Sequence, residues 1–134
     1  MSKLGHSCGF LWNPEKREIL LHLRDGNTTH SPNKWAFFGG GWEEGETLEE
    51  CFVRELKEEL NVEVKVSELK LVKNYINDST GLPRSVYMVK STLPKSAMTL
   101  SEGADFDWVP LDRALDLDLG PQTRKDLEEI IPQL

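Results

Sequence analysis

The sequence is poor in cysteine, in positive charge and in long apolar runs, and each shortage removes a class of protein. Its 134 residues hold only Cys8 and Cys51. Two cysteines so far apart build neither a disulfide framework nor a metal-ligand spacing, and are expected as buried, reduced thiols of a cytoplasmic protein. Lys and Arg number 16 against 23 Asp and Glu, for a net charge of −7. Such a chain lacks the general basic footprint of a binder of nucleic acid polymers. No apolar stretch approaches the length of a membrane span, and Met1 to His6 lacks the pattern of a signal peptide. What is present is an ordinary soluble balance, 38% hydrophobic and 29% charged, with the length of one compact domain over residues 1–134.

Residues from about Gly5 to Trp12 are expected as a strand, Asn13-Pro14-Glu15-Lys16 as a turn, and Glu18 to Leu23 as a second strand, forming a hairpin. A polar loop from Asp25 to Asn33 leads to a short apolar strand, Trp35 to Phe38, and then to Gly39-Gly40-Gly41. Thr47 and Glu50 make a capping box for a helix from Thr47 to Leu60, and Asn61 can close it in the left-handed conformation. Val62 to Ile76, Arg84 to Thr92 and Phe106 to Val109 follow as strands. A last helix runs from Gln122 to Ile131, with Leu127, Ile130 and Ile131 on one side. Strands mixed with two helices on a short chain imply an α/β layered domain.

On a helical wheel Phe52, Val53, Leu56 and Leu60 form the apolar stripe. Glu55, Glu58 and Glu59 fall in an arc of roughly 100° that borders this stripe beside Leu48 and Phe52. Lys57 and Glu50 take the far pole. Like charges three and four residues apart disfavour a helix by about 0.2–0.5 kcal/mol per pair. Carboxylates in its last turns oppose the helix dipole by a further ~0.3–1 kcal/mol each. A divalent cation would remove that repulsion, and oxygen-only ligands favour Mg²⁺, Mn²⁺ or Ca²⁺ over zinc. A solvated acidic face partly neutralised by Arg54 is the alternative. An acidic protein can still hold a phosphorylated ligand when divalent cations stand between the two sets of negative charge.

The surroundings of the helix narrow these options. Gly40, five residues, Glu46, seven residues, then Arg54-Glu55-Leu56-Lys57-Glu58-Glu59-Leu60-Asn61-Val62 closely resembles the Nudix box. Asn61 stands where that family usually has glycine, and both residues tolerate positive φ. Trp35 to Gly40 resembles the strand and glycine pair that precede the box in MutT-like members, with Phe38 where proline is common. The resemblance implies an α/β/α sandwich around a mixed β-sheet. It implies metal ligation by Glu55, Glu58 and Glu59, joined by a backbone carbonyl of the glycine run at Gly39. It also implies that Arg54 and Glu46 pair to orient those carboxylates. Glu102, in a polar loop, matches a position where many members place an extra metal-binding or basic glutamate; an ordinary exposed acid is the alternative.

The reaction so implied is attack of water on one phosphorus of a diphosphate bridge. Mg²⁺ or Mn²⁺ is the expected cofactor, and Glu58, Glu59 or Glu102 the expected base. Arg24 is a candidate phosphate contact and Trp35 a candidate stacking partner for a base, with core packing beside Phe37 as the competing role. Gly39 and Gly40 let backbone come close to the phosphates. The expected substrate is a nucleoside di- or triphosphate-type small molecule, with nucleotide sugars and dinucleoside polyphosphates as alternatives. A nucleotide-binding module without catalysis, and a purely partner-binding acidic surface, are the rival readings, and a homodimer is compatible with all of them. His22 is expected as a partly buried polar residue rather than a catalyst; His6 and His30 carry no signal.

Overall fold

A computed structural model describes residues 5–27, 31–101 and 103–134. Strand β1 (Gly5–Asn13) is buried along almost its whole length, as a central strand must be. It pairs in parallel with β6 (Pro83–Lys90) on one edge. Its other edge is shared: the first half pairs antiparallel with β4 (Phe38–Trp42) and the end with β2 (Glu18–Leu23). β2 also carries the two-residue β3 (Trp35–Ala36) and the full length of β7 (Asp105–Pro110). β5 (Leu69–Ile76) closes the far edge against β6. The sheet is therefore mixed, with one parallel pair inside an antiparallel frame.

Each face of the sheet is covered by one helix. Strand side chains alternate between faces, and the two cores follow that alternation. Leu11, Leu20, Tyr87 and Val89 pack with Phe38 against Phe52, Leu56 and Leu60 of helix α1 (Leu48–Leu60). Phe10, Ile19, Leu21, Val86 and Met88 pack on the other face with Leu127 and Ile130 of α2 (Pro121–Ile130). This is the α/β/α sandwich that the resemblance implied.

Three details differ from the sequence reading. The expected strand from Val62 begins only at Leu69. Val62 is instead buried against α1 with its amide on the Leu56 carbonyl, and Val66–Glu68 form a 3₁₀ turn. The glycines, expected to follow the Trp35–Phe38 strand, lie within β4 itself, paired with His6, Ser7 and Cys8 of β1. On α1, Cys51 takes a fully buried place while Val53 is only half-buried. Among the described residues no helix is long and apolar enough to cross a membrane.

Candidate active site

Helix α1 is fixed at both ends by the signals its sequence carries. Thr47 Oγ1 accepts from the Glu50 amide at 3.1 Å, and Glu50 Oε1 accepts from the Thr47 amide at 2.8 Å. Such a cap is worth ~1 kcal/mol. At the other end Asn61 sits at φ 56°, ψ 36°, and its amide donates to the Leu56 and Lys57 carbonyls. Both ends of the glutamate-bearing helix are thus defined by caps from its own sequence.

Glu55, Glu58 and Glu59 line one cavity of about 560 Å³ with Gly39, Gly40, Gly41 and Arg24. Glu59 is 5% exposed, and its Oε2 accepts from the Gly39 amide at 3.0 Å. Glu55 lies against Gly40 so closely that a Cβ there would stand 2.4 Å from Glu55 Oε1. Gly39 adopts φ +141°, a backbone conformation that favours glycine. A Cβ on Gly39 would stand 2.3 Å from the Ser7 carbonyl oxygen and collide with β1, and one on Gly40 would press on the Glu55 carboxylate.

Arg54 organises the acids. Its Nε donates to Glu46 Oε2 at 3.1 Å and its Nη2 to Glu46 Oε1 at 2.9 Å, a two-pronged pair. Nη1 reaches Glu55 at 3.0 Å and Glu58 at 3.3 Å, and Nη2 also donates to the Gly41 carbonyl at 3.3 Å. The Arg54 guanidinium holds the Glu46 carboxyl down to about 2. Cys51 is buried beneath this group; burial first, then the Glu46 charge, pushes its thiol up to about 12. Burial does the same to Cys8. Neither thiol is a nucleophile at neutral pH.

The donors offered to this cavity are carboxylate and backbone oxygens, which suit a hard divalent ion. The glycine run, bare of side chains against Glu55 and Glu59, leaves room for one. Among the described residues no three acidic, imidazole or thiol side chains converge closely enough to cage an ion by themselves. Arg54 stands between Glu55 and Glu58, so backbone carbonyls or water would complete any ligand set.

The other expected site residues divide. Arg24 lines this cavity together with Asp25 and Glu43, two acids the sequence did not single out. Trp35 lines neither this cavity nor its neighbour. It is half-buried and packs against the core on the α2 face, the competing role noted for it. Glu102 lies outside the described residues, as does His30. Trp12 is core, whereas Trp42 and Trp108 are part-buried and anchored through their indole N–H groups to the Glu46 and Leu93 carbonyls.

His22 was set aside as a partly buried polar residue, yet it is 5% exposed and lines the glutamate cavity. Burial first, then the Arg24 charge, pushes its imidazole down to about 4, against a weaker pull from the Phe37 backbone. The unfolded chain titrates that group near pH 6.5, so the unfolded state takes up its proton first as pH falls. The fold is therefore stabilised above that pH and loses the contribution on the way down to about 4. Urea unfolding at pH 7 and pH 4 is expected to show wild type losing roughly 3 kcal/mol more than His22→Leu over that interval. Parallel losses in the two proteins would contradict the burial argument.

The NUDIX domain family model matches residues 5–134. The chain belongs to the Nudix family. It is a hydrolase acting on phosphoanhydride bonds, and hydrolases of this family generally need divalent metal ions. The nucleoside triphosphatase NudI of Enterobacter sp. (strain 638) is 33% identical to this Nudix hydrolase over 103 residues, covering 69% of this chain and 73% of the relative. A MutT structure, from work on Aliivibrio salmonicida and Vibrio cholerae, superposes with a TM-score of 0.80 at 24% identity over 99% of this chain and 100% of that one. The NUDIX domain of Shewanella oneidensis NrtR, solved with ADP ribose, superposes with a TM-score of 0.73 at 17% identity over 99% and 89% of the two chains. These likenesses to solved structures extend to the fold.

Proposed function

We propose that this Nudix hydrolase is a Mg²⁺- or Mn²⁺-dependent pyrophosphohydrolase of nucleoside triphosphates. The observation that carries the reading is the meeting of two cavities at Arg24 and Gly41, which line both. The first holds the glutamates. The second, of about 660 Å³, is more apolar; Ala36, Phe37, Leu82, Arg84, Gln122 and Thr123 are among the residues lining it. A phosphate chain seated in the first would thus leave its nucleoside in the second, where apolar walls and a few polar groups suit a base and sugar. The relative named nucleoside triphosphatase supports the same substrate class.

Glu55, Glu58, Glu59 and the Gly39 carbonyl would hold the divalent ions. When bound, these supply charge neutralisation on the phosphates and a more acidic attacking water. The chain's own residues do the rest. Arg24 binds phosphate oxygens at the junction of the cavities. Arg54 and Glu46 keep the glutamates in place. Glu58 takes the proton of the attacking water, being the most exposed of the three acids and the one not committed to β4. Water adds to one phosphorus, a bridging P–O bond breaks, and pyrophosphate leaves from a nucleoside monophosphate.

Incubation with nucleoside triphosphates, nucleotide sugars and dinucleoside polyphosphates in ¹⁸O-labelled water, read by mass spectrometry, tests the proposal. Monophosphate and pyrophosphate from triphosphates, with one labelled oxygen between them, are expected. Cleavage confined to nucleotide sugars or dinucleoside polyphosphates would replace the proposed substrate; no cleavage with Mg²⁺ or Mn²⁺ would remove the catalytic reading.

A further inference from the structure

His22 lies on β2 two residues beyond Leu20, so both side chains point toward α1. Leu20 completes the apolar layer with Phe38 and Phe52. The His22 ring continues that layer, stacked on Phe38 with centroids 4.7 Å apart and planes at 26°. An aliphatic side chain would serve the packing as well. Instead an imidazole is buried there; the Phe37 carbonyl lies near enough to favour its protonated form, but neither ring nitrogen makes a well-formed hydrogen bond with any described residue. Buried polar atoms are almost always paired. Both nitrogens are themselves closed to solvent, so a turn of the ring that presents one of them to the cavity His22 lines would give it a partner there. Gly103 backs onto the edge of the ring, where a Cβ would stand 3.3 Å from Nδ1 and 3.1 Å from the Leu23 carbonyl oxygen, so only glycine lets the chain pass without pressing on the imidazole.

We propose that His22 is a substrate-contacting catalytic residue that donates one imidazole N–H to a phosphate oxygen of the diphosphate held against the glutamates. The inference rests on the reading of that cavity as the diphosphate seat. Arg24 and the backbone of Gly39, Gly40 and Gly41 line the same space, so the imidazole joins a set of donors. A neutral ring has one nitrogen that donates and one that accepts. Burial and the nearby Arg24 charge hold His22 in that state at neutral pH. It therefore offers a donor without adding a cation that would draw the carboxylates of Glu55, Glu58 and Glu59 away from the reaction. A bond to an oxygen that gains charge as the bridge breaks is stronger in the transition state than in the ground state. Its loss falls on kcat more than on KM.

His22→Leu repeats Leu20 and keeps the contact with Phe38; His22→Gln restores an N–H. At pH 7 the leucine variant is expected to melt no lower than wild type, because an unpaired buried ring has been removed. Its kcat is expected to fall about 10²-fold with KM within about threefold, and glutamine to recover part of the loss. Spectra of wild-type protein with ¹⁵N-labelled histidine, titrated with inorganic pyrophosphate and Mg²⁺, should show the His22 ring signal move; its absence from His22→Gln assigns it. A leucine variant with wild-type kcat, or a ring signal that stays still at saturating pyrophosphate, overturns the proposal while leaving the site reading intact. Wild-type protein that neither binds pyrophosphate nor cleaves any diphosphate compound overturns both.

Discussion

Glu58→Gln is expected to lower kcat by ~10²–10⁴-fold while the protein melts close to wild type. The size follows from removing the proposed proton acceptor, a side chain also offered to the divalent ions. The retained fold follows from the position of the side chain, which is 56% exposed and has Arg54 as its partner at 3.3 Å. An exposed i,i+4 pair of that kind is worth only ~0.3–0.5 kcal/mol. Glu59→Gln is a poorer test. Glu59 is buried, and its carboxylate receives the Gly39 amide, so an amide there can turn its own N–H toward a donor and disturb β4. Pyrophosphate release and thermal melting on the same preparation check the prediction; near-wild-type turnover in Glu58→Gln would remove Glu58 as the base.

Asp126→Ala is expected to cost the fold about 3–5 kcal/mol, because it leaves a buried guanidinium without its counter-charge. Asp126 is fully buried on α2. Its Oδ2 accepts from Arg84 Nε at 2.9 Å, and its Oδ1 accepts from the Tyr75 hydroxyl at 2.7 Å and Lys73 Nζ at 3.1 Å. Glu129 pairs with the same lysine and Gln122 with the same tyrosine. One carboxylate thus ties α2 to both β5 and β6. For a chain of this length the loss corresponds to roughly 11–18 °C in Tm. An apolar pair, Arg84→Met with Asp126→Leu, should recover much of the stability, since the penalty comes from the unmatched charge rather than from the missing contact. A double variant no more stable than Asp126→Ala would contradict that account.

The glutamate-bearing helix was legible because its signals are local. The capping box, Asn61 and the spacing of Glu55, Glu58 and Glu59 all lie within one stretch of chain, and each constrains its neighbours through 3.6-residue periodicity. Glu46 and Arg54 were legible through the family pattern that links them. What stayed hidden depends on pairing between distant segments. The glycines became part of β4 because β1 supplies their partners, and no pattern within Gly39-Gly40-Gly41 announces that. The Asp126 network joins residues separated by some fifty positions. Its faint sequence signal was an arginine at the start of a strand whose middle, Val86 to Val89, is apolar. Trp35 looked like a stacking residue because a large aromatic beside a glycine run suits either role, and only the packing of the α2 face decides between them. The surroundings of His22 were hidden for the same reason: alternation places it on the α1 face, but the packing of its ring on Phe38 depends on how β4 lies beside β2.

Arg54 spreads one positive charge over Glu46, Glu55 and Glu58, so the acidic helix carries its own internal counterweight. Repulsion among Glu46, Glu55 and Glu58 is thus offset from within the polypeptide, before any cation arrives.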